Sequence, residues 1–140
     1  MIVLDTNVIS DIFGPKPSDR VHNWLNEQES AALFLSTVIL AELYYGAFLV
    51  PDPARRRGLL SNIESVKRDF QGRVLSFGDA ASEIYGRITA DSRRMGRPIE
   101  TKDAMIAAIC LVHGATLATR KVRDFGGLDL KLTNPFEAGA

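Results

Sequence analysis

The first seven residues, Met1-Ile2-Val3-Leu4-Asp5-Thr6-Asn7, constrain this chain more than any other stretch. A short apolar run ending on a carboxylate and two small polar residues reads as a buried parallel strand with Asp5 at its carboxyl end. In open α/β sheets ligands bind beyond that end, so Asp5 is placed for chemistry.

The remaining pattern alternates helix and strand. Asn7 to Phe13 predicts a short helix stopped by Gly14-Pro15, and Ser18 predicts the cap of a second, with Val21, Trp24 and Leu25 at helical spacing. Trp24 is expected as a core anchor rather than a binding platform. Leu33 to Ser36 reads as a second strand, and Thr37 opens a helix reaching about Val50, before Pro51 and Pro53. Asp52 or Pro53 begins a long helix ending near Phe70, with Arg55-Arg56-Arg57 in its first turns, where positive charge opposes the helix macrodipole. Solvation, a partner or phosphate can account for them.

Val74 to Phe77 reads as a third strand. Asp79 to Met95 forms an amphipathic helix with Ala80, Ala81, Ile84, Tyr85 and Ile88 inward. Thr101 can cap a helix from Lys102 to His113 that is apolar nearly all round and therefore buried; Gly114 closes it. Ala115 to Thr119 is a fourth strand, and a last one lies near Leu130 to Leu132. Such alternation implies one α/β domain over residues 1–140, a three-layer α/β/α sandwich around a mainly parallel sheet of four to five strands.

The 46% apolar content supports a hydrophobic core, and 17 basic residues against 17 acidic ones leave no net charge to name a partner. The single Cys110 cannot form an internal disulfide and sits in an apolar run, which predicts a core position in a reducing compartment. No leader pattern or membrane-length apolar run is visible. A cytoplasmic, soluble protein is expected.

Three acids stand as solitary charges in apolar surroundings. Asp5 is the only charge from Met1 to Ser10, Glu42 the only one from Glu29's successor Ser30 to Val50, and Asp103 precedes a stretch without another Asp, Glu, Lys or Arg until Arg120. An unpaired buried carboxylate is costly, so such acids need a cation or a metal, and no fixed cation is obvious beside them in the sequence. Asp5 follows the first strand, Glu42 lies in the second turn after the second, and Asp103 opens the buried helix before the fourth. With Asp124 in the loop after the fourth strand, all four can converge on one sheet edge.

Oxygen donors without a His or Cys cluster favour Mg²⁺, or Mn²⁺, over Zn²⁺. Such ions activate water for attack on a phosphodiester. Thr6, Asn7, Ser36, Thr37 and Thr119, small polar residues at the same strand ends, are expected to orient the ligands or the water. Plainer readings stand beside this one: Asp5-Thr6-Asn7 as a turn and helix cap, Asp103 as a complement to a helix N-terminus, and Asp124 as a loop residue making a local turn bond. Glu42 is hardest to explain in that way, because Val38, Tyr45 and Leu49 share its helical stripe.

Four segments in register resemble the PIN-domain family, and most closely its bacterial VapC-type and FitB-like toxins. They are Met-Ile-Val-Leu-Asp-Thr-Asn-Val-Ile-Ser, Leu-Ser-Thr-Val-Ile-Leu-Ala-Glu-Leu-Tyr-Tyr-Gly around Glu42, Gly-Arg-Pro-Ile-Glu-Thr-Lys-Asp-Ala-Met-Ile-Ala-Ala around Asp103, and Ala-Thr-Leu-Ala-Thr-Arg-Lys-Val-Arg-Asp-Phe. The resemblance implies a PIN-like fold and a Mg²⁺-dependent endoribonuclease, the toxin half of a toxin–antitoxin pair. It makes Asp5 and Asp103 principal metal ligands, Glu42 a further ligand or water-positioning acid, and Asp124 the fourth acid.

Members often carry Asn or Asp where this chain has Lys121, so either Asp124 acts alone at the fourth position or Lys121 contacts phosphate. The resemblance also implies a homodimer, and an antitoxin through which alone the protein reaches DNA. Tyr44, Tyr45, Phe48 and Leu49, with the long helix that follows, can form an apolar groove for such a partner. Arg93, Arg94, Arg97, Arg120, Lys121 and Arg123 are candidates for RNA phosphate. Two rival readings are a phosphatase or phosphotransfer receiver, and a catalytically silent module whose acids receive a partner's basic residue.

Overall fold

β1 (Ile2–Leu4) lies at the centre of a five-stranded sheet of order β3 (Val74–Leu75), β2 (Leu33–Ser36), β1, β4 (Thr116–Ala118), β5 (Lys131–Thr133), in which every neighbouring pair is parallel. A computed structural model describes residues 1–137. Among them run α1 (Thr6–Ile12), α2 (Asp19–Glu27), β2 (Leu33–Ser36), α3 (Thr37–Leu49), α4 (Pro53–Asp69), β3 (Val74–Leu75), α5 (Asp79–Arg94), α6 (Thr101–His113), β4 (Thr116–Ala118) and β5 (Lys131–Thr133). Ile2 pairs with Leu33 on one side and Thr116 on the other, and Leu4 pairs with Ala118. The chain builds outward from β1 through β2 to β3, then returns to β1's other flank with β4. A topological switch point therefore lies between β1 and β4, where an open parallel sheet leaves a crevice at its carboxyl edge.

Successive strand residues point to opposite faces, and the core divides accordingly. Val3 and Leu117 join a cluster with Ala81 of α5 and Ile106, Ala107, Ile109 and Cys110 of α6. Leu4, Leu35 and Ala118 face the other way, toward Val8 and Ile9 of α1, Val21 and Trp24 of α2 and Val66 of α4. That is the expected three-layer sandwich. Each fully buried Val, Leu or Ile side chain contributes about 1.5–3 kcal/mol. Trp24 is a core anchor, 6% exposed, and Cys110 is buried, its thiol pushed up to about 12 chiefly by burial.

Local chemistry explains most boundaries and corrects several. Ser18 accepts from the Val21 amide as the cap of α2, and Asp52 accepts from the Arg55 amide at the start of α4. Glu100, not Thr101, occupies the N-cap of α6; Thr101 is already helical, and no side chain caps that end. Gly114 closes α6 at φ 60°, a conformation glycine adopts without strain. β3 is shorter than predicted because Phe77 leaves the ladder and packs edge-on against Tyr85 at 5.9 Å. Ala80 is exposed rather than inward. Arg56 resolves part of the dipole conflict in α4: its Nε donates to the Val50 carbonyl at 2.9 Å, satisfying a group at the end of α3. Among the described residues no helix is long and apolar enough to cross a membrane.

Candidate active site

Asp5 stands where β1 becomes α1. Its amide donates to the Ala118 carbonyl at 2.9 Å, continuing the ladder with β4, and its side chain then turns to cap α1. Oδ1 accepts from the Thr6 amide at 2.8 Å; Oδ2 accepts from the Thr119 hydroxyl at 2.7 Å and from Asn7 Nδ2 at 3.2 Å. The cap reading is correct, and it coexists with burial: Asp5 is 1% exposed.

Thr119 follows β4 and is tied to β5 through its amide on the Thr133 carbonyl. Its Oγ1 donates to Asp5 while accepting from Asn7 Nδ2 at 3.2 Å and the Lys121 amide at 3.0 Å, which exhausts one donor and two lone pairs. Asn7 Oδ1 accepts from the Arg120 amide at 3.1 Å, so the Asn7 side chain ties α1 to the loop after β4.

Glu42 reaches this cluster from α3. Its Oε1 accepts from the Thr6 hydroxyl at 2.9 Å, so Thr6 offers its amide to one acid and its hydroxyl to the next. Asp103 comes from the first turn of α6, and its side chain is 6% exposed. Its Oδ1 accepts from Lys121 Nζ at 2.8 Å, an ion pair spanning 18 residues of sequence. This supplies the fixed cation that sequence reading did not find beside these acids. No periodicity marks it, because a loop lysine pairs with a helix acid only through the tertiary fold.

Burial dominates the electrostatics of the cluster, with a smaller contribution from neighbouring negative charge. Burial pushes the Asp5 carboxyl up, and the Asp103 charge adds to this, against lowering by the Thr119 hydrogen bond, the Thr6 amide and Lys121. Burial also raises Glu42, with Asp5's charge, against the Thr6 hydroxyl, Lys102 and Lys121. For Lys121 burial works against the charged form, but its hydrogen bond to Asp103 and the charges of Asp103, Asp5 and Glu100 outweigh it and raise its value.

The other expected site residues divide. Thr6, Asn7 and Thr119 touch the acids. Ser36 is buried but caps α3 by accepting from the Ile39 amide, and the Thr37 hydroxyl accepts from the Phe77 amide; neither binds an acid. Asp124 lies exposed in a 3-10 turn, Val122–Phe125, and no hydrogen bond or ion pair among the described residues joins it to the other three. It lines an outer cleft with Arg120, Lys121, Arg123, Asn134 and Glu137. Arg120 stacks on the Phe136 ring at 3.8 Å, Arg94 pairs with Asp91, and Arg97 packs beside Gly126 and Gly127. Arg93, like Arg123, is exposed.

A groove of about 270 Å³ does lie between α3 and α4, running from Phe13 and Ile9 to Glu42. Its α3 wall, however, is Leu43, Gly46 and Ala47. Tyr45, Phe48 and Leu49 do not line it and are 62%, 60% and 62% exposed. Tyr44 is tied to α4, its hydroxyl donating to Glu64 at 2.7 Å and accepting from Lys67 at 3.2 Å.

The donor set suits a hard divalent cation: carboxylate oxygens, oriented by hydroxyl and amide groups, with the Lys121 ammonium already standing in as a cation. As the side chains stand, no three acids, histidines or cysteines among the described residues form a ready-made cage.

Residues 2–125 match the PIN domain family. The chain belongs to the PIN-domain family. It is 42% identical to the plasmid stability protein StbB of Pseudomonas syringae pv. tomato, over 99% of this chain and 100% of that one. It is 37% identical to the VapC ribonuclease Y4jK of Sinorhizobium fredii, over 98% and 99%, and 35% identical to toxin FitB of Neisseria gonorrhoeae, over 97% and 99%. The fold superposes on the crystal structure of FitAcB from Neisseria gonorrhoeae with a TM-score of 0.93, covering 98% of this chain and 99% of that one at 35% identity. A structure of FitAB bound to a DNA fragment gives the same score at 33% identity, covering 100% and 99%. The five-stranded parallel sheet is thus the PIN architecture.

Proposed function

We propose that this PIN-domain protein is a divalent-metal-dependent endoribonuclease, acting as the toxin of a toxin–antitoxin pair. The observation that carries the reading is the linked pair of acids at the switch point of the sheet, buried Asp5 and half-buried Glu42 joined through Thr6 and braced by Asn7 and Thr119, with buried Asp103 approaching the same edge on Lys121. The kinship with a protein named as a VapC ribonuclease and another named as toxin FitB supports it.

Asp5, Asp103 and Glu42 would hold Mg²⁺ or Mn²⁺. When bound, such an ion lowers the pKa of an attacking water and offsets charge on the phosphodiester oxygens. Thr119 and Asn7 fix the face that Asp5 presents, and Thr6 does the same for Glu42. Arg120 and Arg123, on the cleft beside Lys121, would take the phosphates on either side of the cut. The groove between α3 and α4 opens at Glu42, so an antitoxin segment laid in it would end at the acids, and contact with DNA would come through that partner. A homodimer is the expected assembly.

The test is cleavage of a mixed cellular RNA pool by partner-free protein with Mg²⁺, with Mn²⁺ and with chelator, beside Asp5→Asn and the exposed control Glu83→Gln. Discrete cuts that need metal and vanish only in Asp5→Asn are expected. Cuts that persist in Asp5→Asn would overturn the reading.

A further inference from the structure

Lys121 brings a positive charge into contact with one of the buried acids. Its backbone is anchored in the site, the amide donating to the same Thr119 hydroxyl that holds Asp5. Its ammonium sits 2.8 Å from Oδ1 of Asp103, on a carboxylate almost closed to solvent, while its own side chain is 39% exposed. The lysine is thus held at its root, and its head has a way out.

We infer that the Lys121 ammonium is a built-in competitor for the divalent ion: it occupies Asp103 in the ion-free protein and must leave before the ion can bind that carboxylate. The inference rests on the metal-dependent reading above and concerns how weakly the metal is held. Two positive charges on one carboxylate repel, and of the two the ammonium has a flexible four-carbon stem. The outer cleft that Lys121 also lines offers the Asp124 and Glu137 carboxylates as landing places.

Competition of this kind gates the nuclease by metal concentration. With Lys121 in place the acids are partly compensated and the fold tolerates the ion-free state. A metal-binding event then has to overcome a charge-assisted hydrogen bond before it gains anything from Asp103.

The experiment is titration of Mn²⁺ into the full-length, partner-free protein by calorimetry and by Mn²⁺ EPR, for wild type, Lys121→Met, Lys121→Gln, Lys121→Arg and Asp5→Asn. Removing the charge is expected to tighten Mn²⁺ binding by at least about tenfold, the low end of what one neighbouring charge does to an ionic equilibrium. Lys121→Gln, which keeps a neutral donor, serves if Lys121→Met does not fold, and is expected to shift in the same direction. Lys121→Arg is expected to stay within about threefold of wild type, because it keeps the charge. In chelator, Lys121→Met should melt lower than wild type, with Asp103 left unpaired, and gain more on adding Mn²⁺. Equal or weaker Mn²⁺ binding in both neutral variants, with Asp5→Asn still abolishing it, overturns the competitor role and leaves the metal site standing. No binding to any form overturns both.

Discussion

Asp5 takes its hydrogen bonds from three neutral groups, the Thr6 amide, the Thr119 hydroxyl and the Asn7 side-chain amide, whereas Asp103, at the same edge of the sheet, is met by the ammonium of Lys121. Neutral donors orient a carboxylate without cancelling its charge. An ammonium cancels the charge and leaves orientation to a flexible stem. Burial is the main cause of the raised Asp5 carboxyl, and the Thr119 and Thr6 hydrogen bonds work against it without removing the charge. One acid is therefore poised for a cation, and the other already has one.

The most severe way to break this contrast is Asp5→Asn. It keeps the shape and the cap on α1 but removes the charge that the neutral donors hold in place. RNA cleavage is expected to fall by more than about a hundredfold, beyond the loss usual for a group that merely supports a ligand, with near-ultraviolet circular dichroism unchanged. Cleavage within about threefold of wild type would make Asp5 a helix cap and nothing more.

Thr119→Val attacks the support instead. The variant keeps side-chain volume but removes the donor to Asp5 and the acceptor used by Asn7 and the Lys121 amide, all in a buried setting. Leaving those groups unmatched should cost about 1–3 kcal/mol in urea unfolding measured with chelator. Mn²⁺ affinity should fall about 10–100-fold, as for other groups that orient a metal ligand. A loss of stability with no change in affinity would mean that Thr119 serves the fold alone.

How these residues were legible differs by kind. β1, β2, α2, α3, α4 and α6 follow from apolar periodicity with Ser, Asp, Gly and Pro at their ends, because those signals are local. The parallel order was readable from the alternation of helix and strand, and the link from Asp5 through Thr6 to Glu42 from solitary charges on the first strand's end and on the helix after the second. Lys121 on Asp103 was not, since a single long side chain in a loop has no pattern to betray its partner. The outward faces of Tyr45, Phe48 and Leu49 escaped for a related reason. α3 is apolar all round, so its composition does not say which side the sheet and α4 cover.

The charge contrast also sets a pH response. Asp5 and Glu42 are both raised from their ordinary values, burial being the main cause for each. Between the unfolded and folded values the folded chain binds more protons, so these two groups make it more stable as the pH falls through the folded values. Lys121 is raised as well, but its contribution is complete below the ordinary lysine value and is lost only in strong alkali, outside this window. In chelator, melting temperature should hold or rise as the pH falls from neutrality toward the ordinary carboxylate values, and Asp5→Asn should flatten that slope. With Mn²⁺ present the slope should reverse, because protons then compete with the ion. A wild-type melting temperature that falls steadily in chelator, in parallel with Asp5→Asn, would mean that burial does not raise these two carboxyls.

Asp124→Asn should have the smallest effect and sharpens the contrast most narrowly. The carboxylate is exposed, its own amide closes the turn on the Lys121 carbonyl at 3.0 Å, and the side chain makes no bond to the buried acids. An exposed substitution of this kind changes stability by no more than about 0.5 kcal/mol. Mn²⁺ affinity should stay within about threefold, because at the fourth corner of the site the group that touches Asp103 is an ammonium and not a carboxylate. The variant also separates two uses of the outer cleft. If Asp124 only receives the lysine once it has left Asp103, affinity drops slightly while the ion-free melting temperature is unchanged. A loss of Mn²⁺ affinity beyond about tenfold would instead require the 3-10 turn to swing its acid onto the ion, making Asp124 a ligand that forms only in the loaded state.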